Sequence, residues 1–333
     1  MTKVLISGAS GYIAQHIIKD LLLQGHAVVG TVRSAEKGNN LAKLFNSSNF
    51  SFEIANLTEE KAFDKILTNN KDATAFLHTA SPLPHNANDN EKEFLIPAVE
   101  GTKSVLQSIK DHGSQIEHVV ITSSYIAVKD SKNNSPLPYT EDSWNSITWE
   151  EAAKEKSLGY PGSKKFAEKA AWDFLEKEKP HFTLTAVNPA YVFGPQAFDE
   201  EVKEKLNFSA EFINSIVRLV STGKMPQFSG AFIDVRDVAK AHITAFTNEK
   251  AFGKRLVLYN EPCNVQDIVG YIRENFPQLK VPAVEGNGIR NDPKVNATVD
   301  NKKTRKILAF DFIDFEKSLR DSINQILKVY PIS

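Results

Sequence analysis

Tyr160-Pro161-Gly162-Ser163-Lys164 sets a phenol and an ammonium four residues apart. On a helix, positions i and i+4 share a face, so both side chains can address one site. That pairing suits carbonyl reduction, in which a hydride arriving at carbon leaves an alkoxide that must be protonated as it forms. A tyrosine can give the proton, yet its ordinary pKa of about 10 lies about three units above neutrality. A neighbouring Lys⁺ is expected to stabilise the phenolate and bring that pKa toward the working range, about 4 kcal/mol of differential stabilisation. The same ammonium can hydrogen-bond a nicotinamide ribose. Upstream, Thr122-Ser123-Ser124-Tyr125 closes an apolar run. A hydroxyl there can polarise a carbonyl oxygen, and Ser124 is the candidate. Taken singly these features are weak: a Tyr and a Lys four apart are usually solvated, and serines at a strand end usually serve the turn. Their weight comes from following a third motif in a fixed order.

That motif is Gly8-Ala9-Ser10-Gly11-Tyr12-Ile13-Ala14, lying between a strand-like run and a helix-like one. Glycines at 8 and 11 permit a sharp turn and let backbone N–H groups approach a pyrophosphate, while small Ala14 allows close helix–strand packing. The spacing is a variant of the dinucleotide fingerprint. The second strand-like run ends Thr31-Val32-Arg33-Ser34, with Lys37 one turn on, where NAD-binding folds usually carry an acidic residue. A guanidinium pairs well with a 2′-phosphate, so NADPH is expected rather than NADH. Asn56 and Leu57 stand where such folds meet adenine. Thr79, Ala80 and Ser81 stand where they pass the ribose and pyrophosphate.

These residues need a sheet to carry them, and the first 190 residues alternate short apolar runs with longer amphipathic ones. Strands are expected at Val4–Ile6, Ala27–Val32, Phe52–Ala55, Ala75–His78, His118–Thr122 and Leu184–Asn188. Helices are expected up to Leu23, over Phe94–Asp111 with Pro97 in the first turn, and over Gly162–Lys177 with Phe166, Ala170 and Phe174 inward. Short strands apolar on both faces suit a parallel sheet. The fold class is therefore α/β, a Rossmann-type doubly wound parallel sheet (1–190, with 230–250 returning to it) and a smaller C-terminal substrate lobe over most of 191–333. Irregular segments near Lys224–Phe228 and Gly286–Lys294 fit such a lobe. The Asp234-Val235-Arg236-Asp237 cluster reads as a helix start with an aspartate near the cap.

Composition narrows the partners. The 333 residues carry 40 Lys plus Arg against 41 Asp plus Glu, which leaves no basic footprint for nucleic acid or an anionic membrane. A single cysteine, Cys263, excludes an internal disulfide framework, and the eight histidines lack metal-ligand spacing, so no metal is expected. His78 reads as a satisfied strand-end residue. No apolar run reaches membrane-spanning length and no signal-peptide pattern opens the chain, so the expectation is a cytoplasmic protein, a monomer or homodimer acting on a small molecule.

The glycine turn, the strand-end serine and the Tyr/Lys pair together resemble the extended short-chain dehydrogenase/reductases. The resemblance continues through Asn188-Pro189-Ala190-Tyr191-Val192-Phe193-Gly194-Pro195 and Phe232-Ile233-Asp234-Val235-Arg236-Asp237-Val238-Ala239. Gln15-His16-Ile17, Ser163–Trp172 and Asp300-Asn301-Lys302-Lys303 carry it across nearly the whole chain. Within that family the chain is most similar to the fungal NADPH-dependent methylglyoxal/3-methylbutanal reductases of the dihydroflavonol reductase-like branch. The resemblance implies a triad of Ser124, Tyr160 and Lys164, a pyrophosphate turn from Gly8 to Ile13, and a 2′-phosphate clamp of Arg33 and Lys37. It further implies cofactor contacts at Pro189, Val192 and Ser209, and a substrate flanked by Leu83 and Tyr125. Asn56 departs from the aspartate many relatives carry. The implied activity is NADPH-dependent reduction of small aldehydes and ketones. Two other readings compete with it: a nucleotide-sugar epimerase or dehydratase with bound NAD, and a non-catalytic NADPH-binding regulator.

Overall fold

Apolar runs joined by helix-length segments can pair in parallel only if each connection crosses back over the sheet. The computed structural model, which describes residues 2–81, 87–130, 138–206, 208–218, 225–290, 292–296 and 298–331, shows that arrangement. The strands are β1 Lys3–Ser7, β2 Ala27–Val32, β3 Phe50–Ile54, β4 Ala73–His78, β5 His118–Thr122, β6 Thr183–Pro189, β7 Tyr191–Phe193, β8 Ser229–Asp234, β9 Arg255–Leu258 and β10 Glu261–Asn264. Seven of them form one sheet in the order β3-β2-β1-β4-β5-β6-β9, with every neighbouring pair parallel. The winding reverses between β1 and β4, which opens a crevice at the carboxyl ends of those two strands. The sheet is of the Rossmann type foreseen from the alternation.

Period-2 alternation explains why β1 is buried on both sides. Val4 and Ile6 pack with Ile17, Ile18 and Val238 in one core, while Leu5 packs with Phe76, Leu106 and Ile109 in the other. A second sheet, β10-β8-β7, joins β8 antiparallel to β10 and parallel to β7, and has its own core around Phe193, Phe232, Ile268 and Phe315.

Several element bounds differ from those expected. β3 begins at Phe50 and β4 at Ala73, each two residues early. The segment 230–250 divides: its residues up to Asp234 belong to β8 of the second sheet, and helix Val235–Thr247 packs into the β1 core. β9, unforeseen, completes the large sheet. The helix expected from Gly162 begins at Gly159, because Pro161 in a first turn loses no needed N–H. Its buried face is also different. Gly159, Pro161, Gly162, Ser163, Lys164, Glu168 and Ala171 are buried, whereas Phe166, Ala170 and Phe174 are only half-buried. The cause is close helix approach: a Cβ at Gly162 would stand 2.5 Å from the Ala152 Cβ. The small face lets polar Lys164 and Glu168 lie against the sheet.

Candidate active site

The glycine turn sits on the crevice between β1 and β4. Gly8 adopts φ +71°, and a Cβ there would come within 3.0 Å of the Ala80 Cα, so only glycine fits. The Gly11 N–H donates to the Gly8 carbonyl at 2.9 Å and starts helix Tyr12–Leu23. N–H groups of a first helical turn lack intrahelical acceptors, which makes this end a receptor for an anion. Ser10 and Gly11 are exposed and Ala9 is buried. The Tyr12 phenol faces away from that role: it is buried and donates to the Gly194 carbonyl at 2.6 Å, so only its backbone is free for phosphate. Across the crevice the Ser7 hydroxyl lies 2.8 Å from His78 Nδ1 and accepts from the Thr79 and Ala80 N–H groups, while the Thr79 hydroxyl donates to the Ser7 carbonyl. Burial, then the Lys164 charge, lowers the His78 pKa to about 4, so its ring is neutral and satisfied.

At the crevice's far rim, Arg33 follows β2 and is exposed. Ser34 caps helix Ala35–Phe45 by accepting from the Lys37 N–H at 3.4 Å. The Arg33 and Lys37 side chains are both exposed and make no hydrogen bond or ion pair with a described residue. Asn56 is different. Its carboxamide accepts from the Thr58 hydroxyl and donates to Glu59, which holds the turn after β3.

At the near end, Ser124 follows β5 with extended backbone and caps the short turn Tyr125–Ala127. The Tyr160 phenol lies beside the Ser124 side chain, whose hydroxyl favours the phenolate. One helical turn on, the Lys164 ammonium donates to the Thr122 carbonyl at 3.2 Å. Leu57, His78, Ala80, Ser81, Thr122 and Lys164 line a cleft of about 390 Å³, counted with its opening to solvent. The electrostatics correct one expectation. Burial pushes the phenol above its ordinary value, against the opposing effect of the Ser124 side chain, and the nearby Tyr191 phenol adds to the rise. Burial also lowers Lys164 to about 8, opposed by Glu168. With the ammonium turned to a backbone carbonyl, desolvation and not the Lys⁺ governs the phenol.

Pro189 and Val192 lie buried at the end of β6 and in β7, and Ser209 is half-buried in helix Phe208–Val217. Leu83 lies outside the described residues. Tyr125, expected beside the substrate, is buried with Tyr139, Val257 and Tyr259. The partly exposed ring beside the phenol is Tyr191, edge-on to Phe228 at 4.6 Å.

A family model, the NAD dependent epimerase/dehydratase family, matches residues 4–258. The chain belongs to this family. NADPH-dependent methylglyoxal reductase GRE2 of Saccharomyces cerevisiae is 44% identical, over 98% of each chain. Gre2 from Candida albicans, solved in complex with NADPH, superposes with a TM-score of 0.94 at 45% identity, over 99% of this chain and 100% of that one. Yeast methylglyoxal/isovaleraldehyde reductase Gre2 complexed with NADPH gives 0.93 at 44% identity, over 99% of each. These matches put the chain in the extended short-chain branch that its motifs resemble.

This member of the epimerase/dehydratase family also carries polar residues around its site to which the motifs assign no role. Ser7 ties β1 to the residues after β4. Beneath Lys164, the buried Glu168 carboxylate accepts from Ser123 Oγ at 2.5 Å, Asn188 Nδ2 at 2.6 Å, Arg255 Nε at 2.5 Å and Trp172 Nε1 at 3.2 Å. The available signal was spacing: Glu168 follows Lys164 by four, on the same helical face.

Proposed function

We propose that the chain is an NADPH-dependent carbonyl reductase that converts small aldehydes and ketones (methylglyoxal, branched aldehydes, ketoesters and aryl ketones) to alcohols. The observation that carries this reading is the Ser124 hydroxyl beside the Tyr160 phenol, with Lys164 one turn away lining the cleft at the carboxyl ends of β4 and β5. The residues present fit the cofactor. The Gly8 cradle would be filled by a Cβ, first-turn N–H groups stand open, and Arg33 with Lys37 offers two cations without a partner among the described residues where a 2′-phosphate belongs. Gly8 to Ile13 would hold the pyrophosphate; Thr79 to Ser81, Pro189, Val192 and Ser209 would line the rest.

When bound, NADPH supplies the hydride that reduces the carbonyl carbon. Ser124 donates to the substrate oxygen and polarises it. Tyr160 gives its phenolic proton to the same oxygen, so the product leaves as a neutral alcohol. Its raised pKa keeps the phenol protonated and ready to donate at neutral pH. Lys164, charged below its pKa of about 8, would offer its remaining N–H donors to the nicotinamide ribose, and the phenolate left behind takes a proton back from solvent. The Tyr191 ring, held edge-on against buried Phe228, lies beside the phenol and offers a surface for the apolar part of the substrate.

The chain is proposed to act as a monomer or homodimer. No helix among the described residues is long and apolar enough to cross a membrane. A reductant of this kind and a buried free thiol fit the cytoplasm. Arg33, in the place of a strand-end carboxylate, speaks against an epimerase that retains NAD.

The test is a panel of methylglyoxal, 3-methylbutanal, a β-ketoester and an aryl ketone, with NADPH oxidation followed by absorbance and the alcohols resolved on a chiral column. Tyr160→Phe should lower kcat by ~10²–10⁴ while the NADPH dissociation constant stays within about threefold. Full turnover in that variant removes the assignment. Stoichiometric NAD in the purified protein would favour the epimerase reading.

A further inference from the structure

The mechanism above leaves Glu168 unused, although its side chain is wholly buried and holds more polar partners than any residue of the triad. Burying a carboxylate is costly unless donors surround it. Here they come from four directions. Ser123 belongs to the loop after β5, Asn188 to the end of β6, Arg255 to the start of β9, and Trp172 to the next turn of the same helix. Asn188 Nδ2 also donates to the Ser124 carbonyl at 3.2 Å, so one carboxylate, directly and through one amide, fixes the backbone on both sides of the Ser123–Ser124 peptide. Arg255 passes the connection outward. Its Nη1 donates to the Glu141 and Ser143 carbonyls, and its guanidinium stacks on the Trp144 ring at 3.9 Å.

We propose that Glu168 is a positioning residue for the proton-transfer site, clamping the Ser124 backbone through Ser123 and Asn188 and setting a carboxylate one helical turn from the Lys164 ammonium. The proposal rests on the triad assignment above. Glu168 supplies the negative charge facing Lys164. The other groups around that ammonium are neutral His78 from β4, the Thr122 carbonyl from β5, the neutral Tyr160 phenol on its own helix and uncharged Ala98 and Thr102 from helix Ile96–His112. Arg255 from β9 reaches the site only through Glu168, which neutralises it. A carboxylate that merely filled space would leave the titration of Lys164 untouched; this one raises it against burial.

The experiment measures kcat, the NADPH KM and the pH dependence of kcat per folded molecule in Glu168→Gln and in Glu168→Gln/Arg255→Gln. The double variant matters because the single one strands a buried guanidinium, which is itself strongly destabilising. Expected in both are an alkaline limb moved at least ~0.5 pH unit toward lower pH, a kcat about tenfold down, and an NADPH KM within about threefold. An unmoved limb with kcat within about twofold overturns the proposal. Ser123→Ala removes one hydrogen bond and no charge, which guards against loss of both other variants. It should lower kcat at least about threefold, and an unchanged kcat there overturns the clamp. Tyr160→Phe is run alongside. Retained turnover in it defeats the triad itself, whereas its inactivity together with an unmoved limb in the Glu168 variants defeats only this inference.

Discussion

Lys164 and Arg33 each bring a positive charge to the crevice, from opposite ends and in opposite surroundings. Lys164 is 9% exposed, bonded to the Thr122 carbonyl and faced by a buried carboxylate. Arg33 stands in solvent with no partner among the described residues. A charge inside the fold has its protonation set by the protein, and every neighbour that holds it becomes part of the chemistry. A charge on the rim keeps its donors free, so it can select a ligand without being tied to the fold. Catalysis and cofactor choice are thereby separable, and substitutions at the two ends should produce effects that differ in kind as well as size.

The largest effect belongs to the inner end. Lys164→Met should lower kcat by ~10²–10³. In the wild type, turnover should fall as pH rises through about 8, where the ammonium loses its proton. Stability should respond with the opposite sign. The Lys164 pKa is depressed from 10.5 on folding, so between about 8 and 10.5 the unfolded chain binds more protons and the contribution of Lys164 to stability grows with pH. Thermal melts of wild type and Lys164→Met across that window check the sign, because the difference isolates this group from the tyrosines titrating nearby. Parallel pH trends in activity and in the stability difference would break the assignment of both to one ammonium.

The outer end should govern affinity alone. Arg33→Asp removes a charge-assisted pair with the 2′-phosphate and sets a like charge against it, which should raise the KM for NADPH at least about tenfold. NADH has no such phosphate, so its KM should stay within about twofold and kcat at saturation should hold. Equal changes for both cofactors would show that Arg33 acts on the turn and not on the phosphate.

How much of this could be read from residues alone follows the same division. The sheet, its six leading strands and the glycine turn were legible because period-2 burial and a φ that only glycine tolerates leave local marks, as at Val4-Leu5-Ile6 and Gly8. The exposed place of Arg33 at the tip of β2 was legible because a charged residue directly after an apolar run has nowhere but solvent to go. β9 was missed because four residues, Arg255 to Leu258, are too few to show a period. The inward face of helix Gly159–Glu178 was misread because hydrophobicity marks Phe166 and Phe174, whereas close approach to Ala152 selects the small residues. The direction of the Tyr160 shift was misjudged because spacing puts Lys164 on the right face but says nothing about where its ammonium turns. The Glu168 hub needs partners from two strands and the loop after a third, and sequence order places Ser123, Asn188 and Arg255 far apart.

The finest distinction lies between the two rim cations. Lys37 sits in the first turn of helix Ala35–Phe45, where its own N–H is taken up by the Ser34 cap and only its exposed side chain remains for a ligand. A flexible, strongly hydrated ammonium gives a point-charge attraction in place of a bidentate fork, so Lys37→Ala should raise the NADPH KM only about threefold at low ionic strength. Exposed charges are screened over about 8 Å at physiological salt and about 3 Å at 1 M, so that difference should vanish as salt is added. The kcat deficit of Lys164→Met, arising where solvent ions do not reach, should persist unchanged in the same titration. If salt instead erased the Lys164 effect and spared the Lys37 effect, the assignment of one cation to the interior and the other to the rim would be reversed.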